Sequence, residues 1–512
     1  MSVRYVFKNI AIMLAKIFLA AVPTIVTLWL VQYYFNSDLR VFFPAYDADQ
    51  CMYIREAKTF AAAGFDGGYY GLNGQTAKVG RFGPHGAAYP ILYGGLARLF
   101  GGWQDWLAPV FNLGFVSLAL LIVGRRLSLS RLAGIVAFIV TFSSSMIYLP
   151  LSYQEALQYA VAMLLALVFS PFFNRLEKDS SARWRNWGAL GVVLLASLTR
   201  PTWAVLFPAA VYCGTPGRRR DILYAAVLGG GLLFFAYALF ALTATPWNVP
   251  TGPGVLIALL HGDLDPLISP LVANMTSLLD FTNNANSTLG LAIMLGGTLL
   301  AMAIGKGMEP EFQRRNIAIH LCNMFFPVAI YIAIYAGTGN QLNRLISAHF
   351  LLSLTLAMLV APRRAGRLVL GPVLAGCLVM LPATLASYTA YVRPAYDDYL
   401  GWRDRIDGLG PDLPRALQVA INAPSPWLRT LIVYGEDASL AYLAAPAEFG
   451  IQGYDLRGLE TPFRAGFALL DPAGYAAASQ KMPLTPLAKT PHGVLYRNDV
   501  AFGFAAADGE QP

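Results

Sequence analysis

The segment Phe43-Pro-Ala-Tyr-Asp-Ala-Asp-Gln-Cys-Met-Tyr-Ile-Arg-Glu-Ala-Lys58 places two carboxylates, Asp47 and Asp49, shortly after the first long apolar run of the chain. The 512 residues are 56% hydrophobic and only 13% charged, with a mean hydropathy of +0.51. Soluble domains carry about 25% charged residues, so this composition indicates an integral membrane protein. We expect carboxylates just outside a bilayer where a polar substrate meets a lipid-borne partner.

Apolar runs that approach or exceed the roughly 18–20 residues needed to cross a hydrocarbon core recur along the chain. The eleven runs lie near 12–33, 107–124, 132–149, 155–173, 187–199, 202–214, 222–243, 288–305, 316–337, 345–361 and 368–388. Because lipid offers no partners to backbone polar groups, they predict an all-α polytopic bundle of transmembrane helices. The runs near 187–199 and 202–214 are short, so we expect them to be tilted, partly re-entrant or two parts of one interrupted helix.

The basic residues lie in alternate connections between these runs. Residues 244–287 contain no Lys or Arg. The Lys and Arg clusters are at 125–131, 175–185, 218–220, 306–315 and 363–367. Because basic loops stay in the cytoplasm, the pattern predicts a cytoplasmic N-terminus and an extracytoplasmic C-terminal region. The net charge of +8 is attributed to these inner loops rather than to a nucleic-acid partner, and the first run is interpreted as a retained anchor rather than a cleaved signal peptide.

Two domains are predicted. Residues 1–388 form the transmembrane domain, whose first outer loop spans 34–106. Residues 389–512 gain charged residues and Pro and lose the long apolar runs. Because about 120 residues are enough for a small domain, we expect a soluble α/β domain outside the membrane. Its predicted elements are strands at 430–435 and 493–496 and a short helix at 439–444.

The first outer loop contains two predicted interfacial helices. Apolar residues recur at helical spacing after Asp49, the expected N-cap, which predicts an amphipathic helix in the membrane interface. A glycine-rich stretch at 64–74 ends this helix. The turn Gly83-Pro84-His85-Gly86 then leads into a second short helix over 88–101. Together the two helices are expected to form a ledge against the bundle.

Several of these features resemble the C-type glycosyltransferases (GT-C). They are the spacing of Asp49, Tyr53 and Ala57, the interfacial helix that ends in glycine, and the Pro-His-Gly turn before the Tyr-Pro-Ile-Leu-Tyr string at 89–93. The string Leu-Thr-Arg-Pro-Thr at 198–202 resembles the mid-chain arginine segment of the same family. As architecture, the resemblance covers the whole chain.

The resemblance implies a polytopic enzyme that takes a sugar from a polyprenyl-phosphate donor, with a soluble C-terminal domain as in many members. The family often has Asp-Glu where this chain has Asp49-Gln50. Asp47 is the alternative for the second acidic role, so either aspartate can be the primary carboxylate.

The residue types also suit glycosyl transfer by their own chemistry. A carboxylate, Asp49 or Asp47, can take the proton of the acceptor hydroxyl as the new bond forms. A cation beside the departing phosphate lowers the barrier, and arginine offers a planar fork that matches phosphate oxygens. Arg200 and Arg344 are isolated basic residues in otherwise bare outer turns, which makes them candidates for the phosphate site.

His85 and Tyr53 are further candidates for substrate contacts. Each candidate has a structural alternative. Tyr53 can pack within its helix, and His85 can serve turn formation alone. Asp49 can act only as a helix N-cap, and the two arginines can anchor to lipid headgroups.

Metal and cofactor sites are not expected. The acidic pairs Asp47/Asp49 and Asp263/Asp265 resemble metal-ligand spacing, but two carboxylates two residues apart are a weak signal. The resemblance implies no metal for monosaccharide donors.

The sequence thus predicts a glycosyltransferase of a bacterial inner membrane that passes a hexosyl or pentosyl group from a polyprenyl-phosphate donor to an envelope glycan, lipid or protein on the outer side. One alternative is an oligosaccharyl transferase or glycan polymerase with a pyrophosphate-linked donor. Another is a transporter or flippase of lipid-linked sugars. A transporter is expected to show repeats with broken or charged helices at the bilayer midplane, and the sequence shows no such repeat.

Overall fold

The computed structural model describes residues 3–34, 48–67, 69–72, 82–104, 106–173, 181–216, 218–244, 252–304, 308–334, 342–409, 412–423, 425, 427–435, 444–453, 462–490 and 493–502. Asp47 lies outside the described residues, as does the helix predicted over 439–444 apart from Ala444. Asp49 is placed by its backbone.

Helices make up most of the described chain up to residue 409. The α-helices are α1 (Val3–Trp29), α2 (Ala48–Ala63), α3 (Gly95–Leu99), α4 (Leu107–Gly124), α5 (Leu129–Thr141), α6 (Ser143–Tyr148), α7 (Glu155–Phe169), α8 (Ser181–Thr199), α9 (Phe207–Cys213), α10 (Asp221–Thr243), α11 (Gly252–Leu260), α12 (Asp265–Leu279), α13 (Phe281–Ile304), α14 (Pro310–His320), α15 (Phe326–Ile334), α16 (Leu342–Val360), α17 (Arg363–Leu409), α18 (Asp412–Leu417) and α19 (Pro472–Ser479). Single π-turns at Leu30–Tyr34 and Leu321–Phe325 extend α1 and join α14 to α15.

Eight of the described helices are long and apolar enough to cross a membrane, and each coincides with a predicted run. The shorter apolar helices Leu129–Thr141 and Pro201–Cys213 coincide with two further runs. The eleventh run falls in α8. A multi-pass helical bundle is therefore confirmed, whereas the count of eleven spans and their orientation stay predictions.

Helix α16 lies at the centre of the bundle. In its spanning window 78% of the residues are buried, as expected of a helix that faces protein on all sides. It packs in one continuous core with α7, α13 and α5, in which Phe350 meets Phe138 edge-on at a ring distance of 5.2 Å. This position brings the first turn of α16 next to the first turn of α7.

A six-stranded sheet accompanies the bundle. Its strands are β1 (Tyr70–Leu72), β2 (Thr430–Tyr434), β3 (Gly450–Gly453), β4 (Phe467–Leu470), β5 (Leu484–Lys489) and β6 (Val494–Asn498). They lie in the order β1-β3-β2-β4-β6-β5, the first four parallel and the last two antiparallel to their neighbours. Strands β2 and β6 confirm the strands predicted at 430–435 and 493–496, and the fold class of a helical membrane bundle with a small α/β C-terminal region is confirmed with them.

Strand β1 belongs to the first outer loop, yet it pairs with β3 of the C-terminal region, Tyr70 opposite Ile451. Helix α17 runs without a break through residues 388 and 389. The division into domains at this point stays a prediction. One apolar cluster joins the two parts, because it contains Met52 and Ala57 of α2 together with Leu431 of β2.

Candidate functional site

Helix α2 begins at Ala48, so Asp49, which was expected to be the N-cap, lies instead within the first turn of the helix. The prediction that this helix is amphipathic is wrong for two of its charged residues. Arg55 and Glu56 are fully buried, because the C-terminal region and the segment around residue 83 cover the face that was expected to meet water. The helix that carries Asp49 is thereby held in a packed environment.

Glycine lets the second predicted helix pack closely on α2. A π-turn at Pro90–Gly94 and α3 form this helix. A Cβ atom on Gly94 would lie 2.5 Å from the carbonyl oxygen of Ala57, so only glycine permits the observed contact.

Tyr53 and His85, both predicted as substrate contacts, lie side by side. Their ring centroids are 4.4 Å apart, and the Tyr53 ring also lies 4.7 Å from Tyr89 and 6.2 Å from Tyr153. Tyr53 is 1% exposed. This aromatic cluster connects α2 to the residues just before α7. Tyr53 therefore has a packing role, and its contact with a substrate stays a prediction.

Arg200 and Arg344, predicted independently from their isolation in outer turns, meet at one buried carboxylate. Nε of Arg344 lies 2.8 Å from Oε1 of Glu155, and Nη2 of Arg200 lies 3.6 Å from the same atom. Glu155 is 1% exposed and begins α7, where the positive end of the helix dipole favours a negative charge. The sequence analysis did not identify Glu155 as a candidate site residue, because in the sequence it is only the first residue of the apolar run at 155–173.

Local structure fixes both arginines. Helix α8 ends at Thr199, and Arg200 adopts an extended backbone with φ −156° before the 3₁₀ segment Pro201–Leu206, since a residue that precedes proline avoids the helical region. The guanidinium of Arg344 lies over the Tyr153 ring at 4.1 Å and over the Tyr148 ring at 5.1 Å, a cation–π arrangement.

The residues after Arg200 are anchored inside the bundle. Trp203 Nε1 donates to Gln158 Oε1 at 2.7 Å, and Thr202 Oγ1 lies 3.1 Å from Nε2 of His349. His349 Nδ1 lies 3.1 Å from Asn323 Oδ1. A buried polar network of this kind stiffens the segment that carries the arginine.

Two atoms of the cluster have no hydrogen-bond partner among the described residues although both are buried, namely Oε2 of Glu155 and Nη1 of Arg200. An unsatisfied buried polar atom costs about 1–3 kcal/mol, so such atoms in a native structure point to a ligand or a functional role. The two arginines and the glutamate together carry a net positive charge. The arrangement can accept an anionic group at Arg200 and a hydroxyl donor at Glu155.

Gln50, directly after Asp49, connects the start of α2 to the segment that precedes Glu155 in the chain. Its side chain is fully buried, and its Oε1 accepts the backbone N–H of Ser152 at 3.3 Å. The carbonyl oxygen of Ser152 in turn accepts the Tyr89 hydroxyl at 3.1 Å. The backbone of Asp49 and the segment that enters α7 are therefore linked through one residue.

Glu56 holds the turn that carries His85. Its Oε1 accepts the backbone N–H of Gly83 at 2.6 Å. Burial raises the pKa of Glu56 to about 8, and the hydrogen bond from Gly83 opposes this shift.

Among the described residues, no group of three or more His, Cys, Asp or Glu side chains could hold a metal ion. The pair Asp263 and Asp265 forms a local turn before α12, in which Oδ1 of Asp263 accepts the N–H of Asp265 at 3.0 Å in an exposed position. This geometry accounts for both aspartates as turn and helix-start residues.

No protein-family model and no curated protein sequence matches the chain. The crystal structure of ArnT from Cupriavidus metallidurans bound to undecaprenyl phosphate is similar over 89% of this chain and 95% of that chain, with 13% identity and a TM-score of 0.46. The structure of the same protein in the apo state covers 90% and 96%, with 12% identity and a TM-score of 0.37. At these scores the likeness carries no weight for function.

Proposed function

We propose that this chain is a glycosyltransferase of a bacterial inner membrane. It moves a hexosyl or pentosyl group from a polyprenyl-phosphate donor to an envelope glycan, lipid or protein acceptor on the outer side. The observation that carries the proposal is the meeting of Arg200 and Arg344 at Glu155, in a segment tied through Gln50 to the helix that carries Asp49.

The proposed donor matches the charge of the cluster. A sugar linked to a lipid through one phosphate is a phosphodiester with a single negative charge, which complements two guanidinium groups and one carboxylate. Nη1 of Arg200 donates to a phosphate oxygen, and Oε2 of Glu155 accepts a hydroxyl of the donor sugar. Both atoms are the buried ones that lack a partner among the described residues.

The proposed reaction is a displacement at the anomeric carbon of the donor. Asp49, or Asp47 in its place, takes the proton of the acceptor hydroxyl while the acceptor oxygen bonds to that carbon. The bond from the carbon to the phosphate oxygen breaks, and polyprenyl phosphate leaves with both electrons. Arg200 and Arg344 stabilise the charge that develops on this phosphate. No step is assigned to a metal or cofactor.

In the test, the purified chain in lipid nanodiscs receives a radiolabelled sugar that is linked to either a polyprenyl monophosphate or a polyprenyl pyrophosphate. In a third arm, the chain is placed in sealed liposomes with the monophosphate donor and without acceptor. We expect label to pass to an envelope glycan or lipid fraction from the monophosphate only. Transfer from the pyrophosphate instead would establish the polymerase alternative. Movement of intact donor across the liposome membrane without transfer would establish the flippase alternative and reject the enzyme.

A further inference from the structure

A buried guanidinium, that of Arg55, binds the helix that carries Asp49 to the C-terminal region. Nη1 of Arg55 donates to the carbonyl oxygen of Ala445 at 2.5 Å. Its Nη2 donates to the carbonyl oxygens of Pro446 at 2.6 Å and Phe449 at 2.7 Å. Arg55 is 0% exposed, so these three carbonyl groups replace water at its two terminal nitrogens, while Nε has no partner among the described residues.

The segment that binds Arg55, residues 445–449, packs against the sheet and continues directly into it. Phe449 is fully buried and meets Phe467 of β4 edge-on at 5.6 Å. The next residue, Gly450, begins β3 and donates its N–H to the carbonyl oxygen of Arg429 at 2.8 Å. Any displacement of the sheet therefore displaces the carbonyl groups that bind Arg55.

The same stretch of chain contacts the first outer loop a second time. Ile451 donates its N–H to the carbonyl oxygen of Tyr69 at 3.2 Å, and β1 pairs in parallel with β3. Arg55 within α2 and β1 shortly after α2 thus both bond to residues 445–453, and apolar residues of α2 and of the sheet share one core. The first outer loop and the C-terminal region are therefore joined by hydrogen bonds, strand pairing and a shared apolar core, and not only by the connecting chain.

Arg55 lies six positions after Asp49 on one helix, and helices transmit displacement along their length. We propose that Arg55 is a positioning residue: through it, residues 445–449 of the C-terminal region fix α2 and thereby the carboxylate that acts as base. This inference rests on the proposed function for its catalytic consequence. Its structural part, that Arg55 orders α2, stands independently.

Arg55→Ala removes all three hydrogen bonds and leaves buried carbonyl groups unsatisfied. Arg55→Lys keeps the charge but loses the planar fork that reaches several carbonyl oxygens at once. If the alanine variant does not fold, the same measurements on Arg55→Lys decide the question. The matched control is Arg497→Ala. Arg497 belongs to the same sheet and pairs with Asp499 at 2.8 Å, and its side chain is 43% exposed.

Two measurements are made on each full-length variant: hydrogen–deuterium exchange of the amides at 48–63, and the steady-state constants of sugar transfer. We expect faster exchange over 48–63 in both Arg55 variants. We also expect kcat to fall roughly 10–100-fold, since misplacement of about 1 Å has this effect, with the donor KM within about threefold of wild type. A purely structural role would reduce only the amount of folded protein, so kcat expressed per folded molecule and KM would both match wild type. Arg497→Ala should match wild type in both measurements.

Exchange over 48–63 that is unchanged in Arg55→Lys and Arg55→Ala would overturn the inference, whatever the activity. Faster exchange with a wild-type kcat would also overturn it. If wild-type protein transfers no sugar from the monophosphate donor, the proposed function fails, and the exchange measurement still decides whether Arg55 orders α2.

Discussion

The side chain of Arg344 donates from Nε to Oε1 of Glu155 at 2.8 Å, although 189 residues separate the two in sequence. Both are buried or nearly so, and the second arginine, Arg200, approaches the same oxygen. A carboxylate shared by two guanidinium groups in a protein interior sets their position and leaves a net positive charge. Substitutions at these three residues should therefore affect one another and any anion that the cluster binds.

Glu155→Gln is expected to destabilise the protein and abolish transfer. Removing one partner of a buried ion pair costs about 3–5 kcal/mol, because the remaining charge stays uncompensated, and here two arginines lose their partner. The melting temperature in detergent and the transfer rate should both fall. A variant with wild-type melting and wild-type rate would show that Glu155 neither holds the arginines nor contacts the donor.

Replacement of Arg200 or Arg344 separates phosphate binding from headgroup anchoring. A headgroup anchor tolerates Lys, whereas a forked contact with phosphate does not. We expect polyprenyl phosphate to bind roughly 10–100-fold more weakly to each Arg→Lys and Arg→Ala variant, since a charge-assisted hydrogen bond contributes about 1.5–3 kcal/mol. Quenching of intrinsic fluorescence by the lipid gives the affinity.

The control for these variants is Arg98→Ala, since Arg98 lies on the first outer loop and donates to the carbonyl oxygen of Ala61 at 2.9 Å. Its affinity for the lipid should equal that of wild type. Unchanged affinity in all four site variants would remove both arginines from the donor site.

Asp49→Asn should lower kcat by about 10²–10⁴, the usual contribution of a general base, with normal expression. Asp47→Asn should be milder or equal. Asp66→Asn is the matched control, because Asp66 is an exposed carboxylate of the same loop. An inactive Asp47→Asn beside an active Asp49→Asn would exchange the two roles, and normal turnover in both would reject carboxylate base catalysis at this position.

Glu56 should make stability depend on pH. Its pKa is raised from 4.5 to about 8 by burial, so the folded state keeps a proton that the unfolded chain has lost between these values. Stability therefore falls as pH rises through this window. Gln cannot titrate and can still accept from Gly83. Melting curves across this pH window should vary less for Glu56→Gln than for wild type, and parallel curves would contradict the assignment.

The apolar runs predicted the bundle well because length and hydropathy alone decide whether a segment crosses lipid. The run at 107–124 coincides with α4, and the run at 155–173 begins with α7. The apolar segment that forms β2 was also predictable, since four of its five residues are buried. These elements depend on local sequence.

The relationships between distant residues could not be predicted in this way. Strand β1 is three residues, Tyr-Gly-Leu, in a glycine-rich stretch without strand signals, and its partner β3 is remote in sequence. Arg200 and Arg344 could be identified because they are isolated basic residues in loops that otherwise lack Lys and Arg. Glu155 lies at the start of an apolar helix, where no comparable feature of the sequence marks it. Arg55 and Glu56 carry charge, which favours a solvated interpretation. Their burial involves residues remote in sequence, the segment 445–449 for Arg55 and the turn at Gly83 for Glu56.

The pairing of Tyr70 with Ile451 also sets an order of assembly. As the chain emerges from the ribosome, β1 is made early, and its neighbour β3 appears only after the entire bundle has been synthesised. Until then the first outer loop lacks the strand that completes it and the carbonyl groups that bind Arg55. Contacts of such sequence separation form late, because a long loop must close before they are gained. The helix with the candidate base thus gains these contacts only after residues 445–453 have been synthesised, and a chain that stalls before residue 445 leaves it without them.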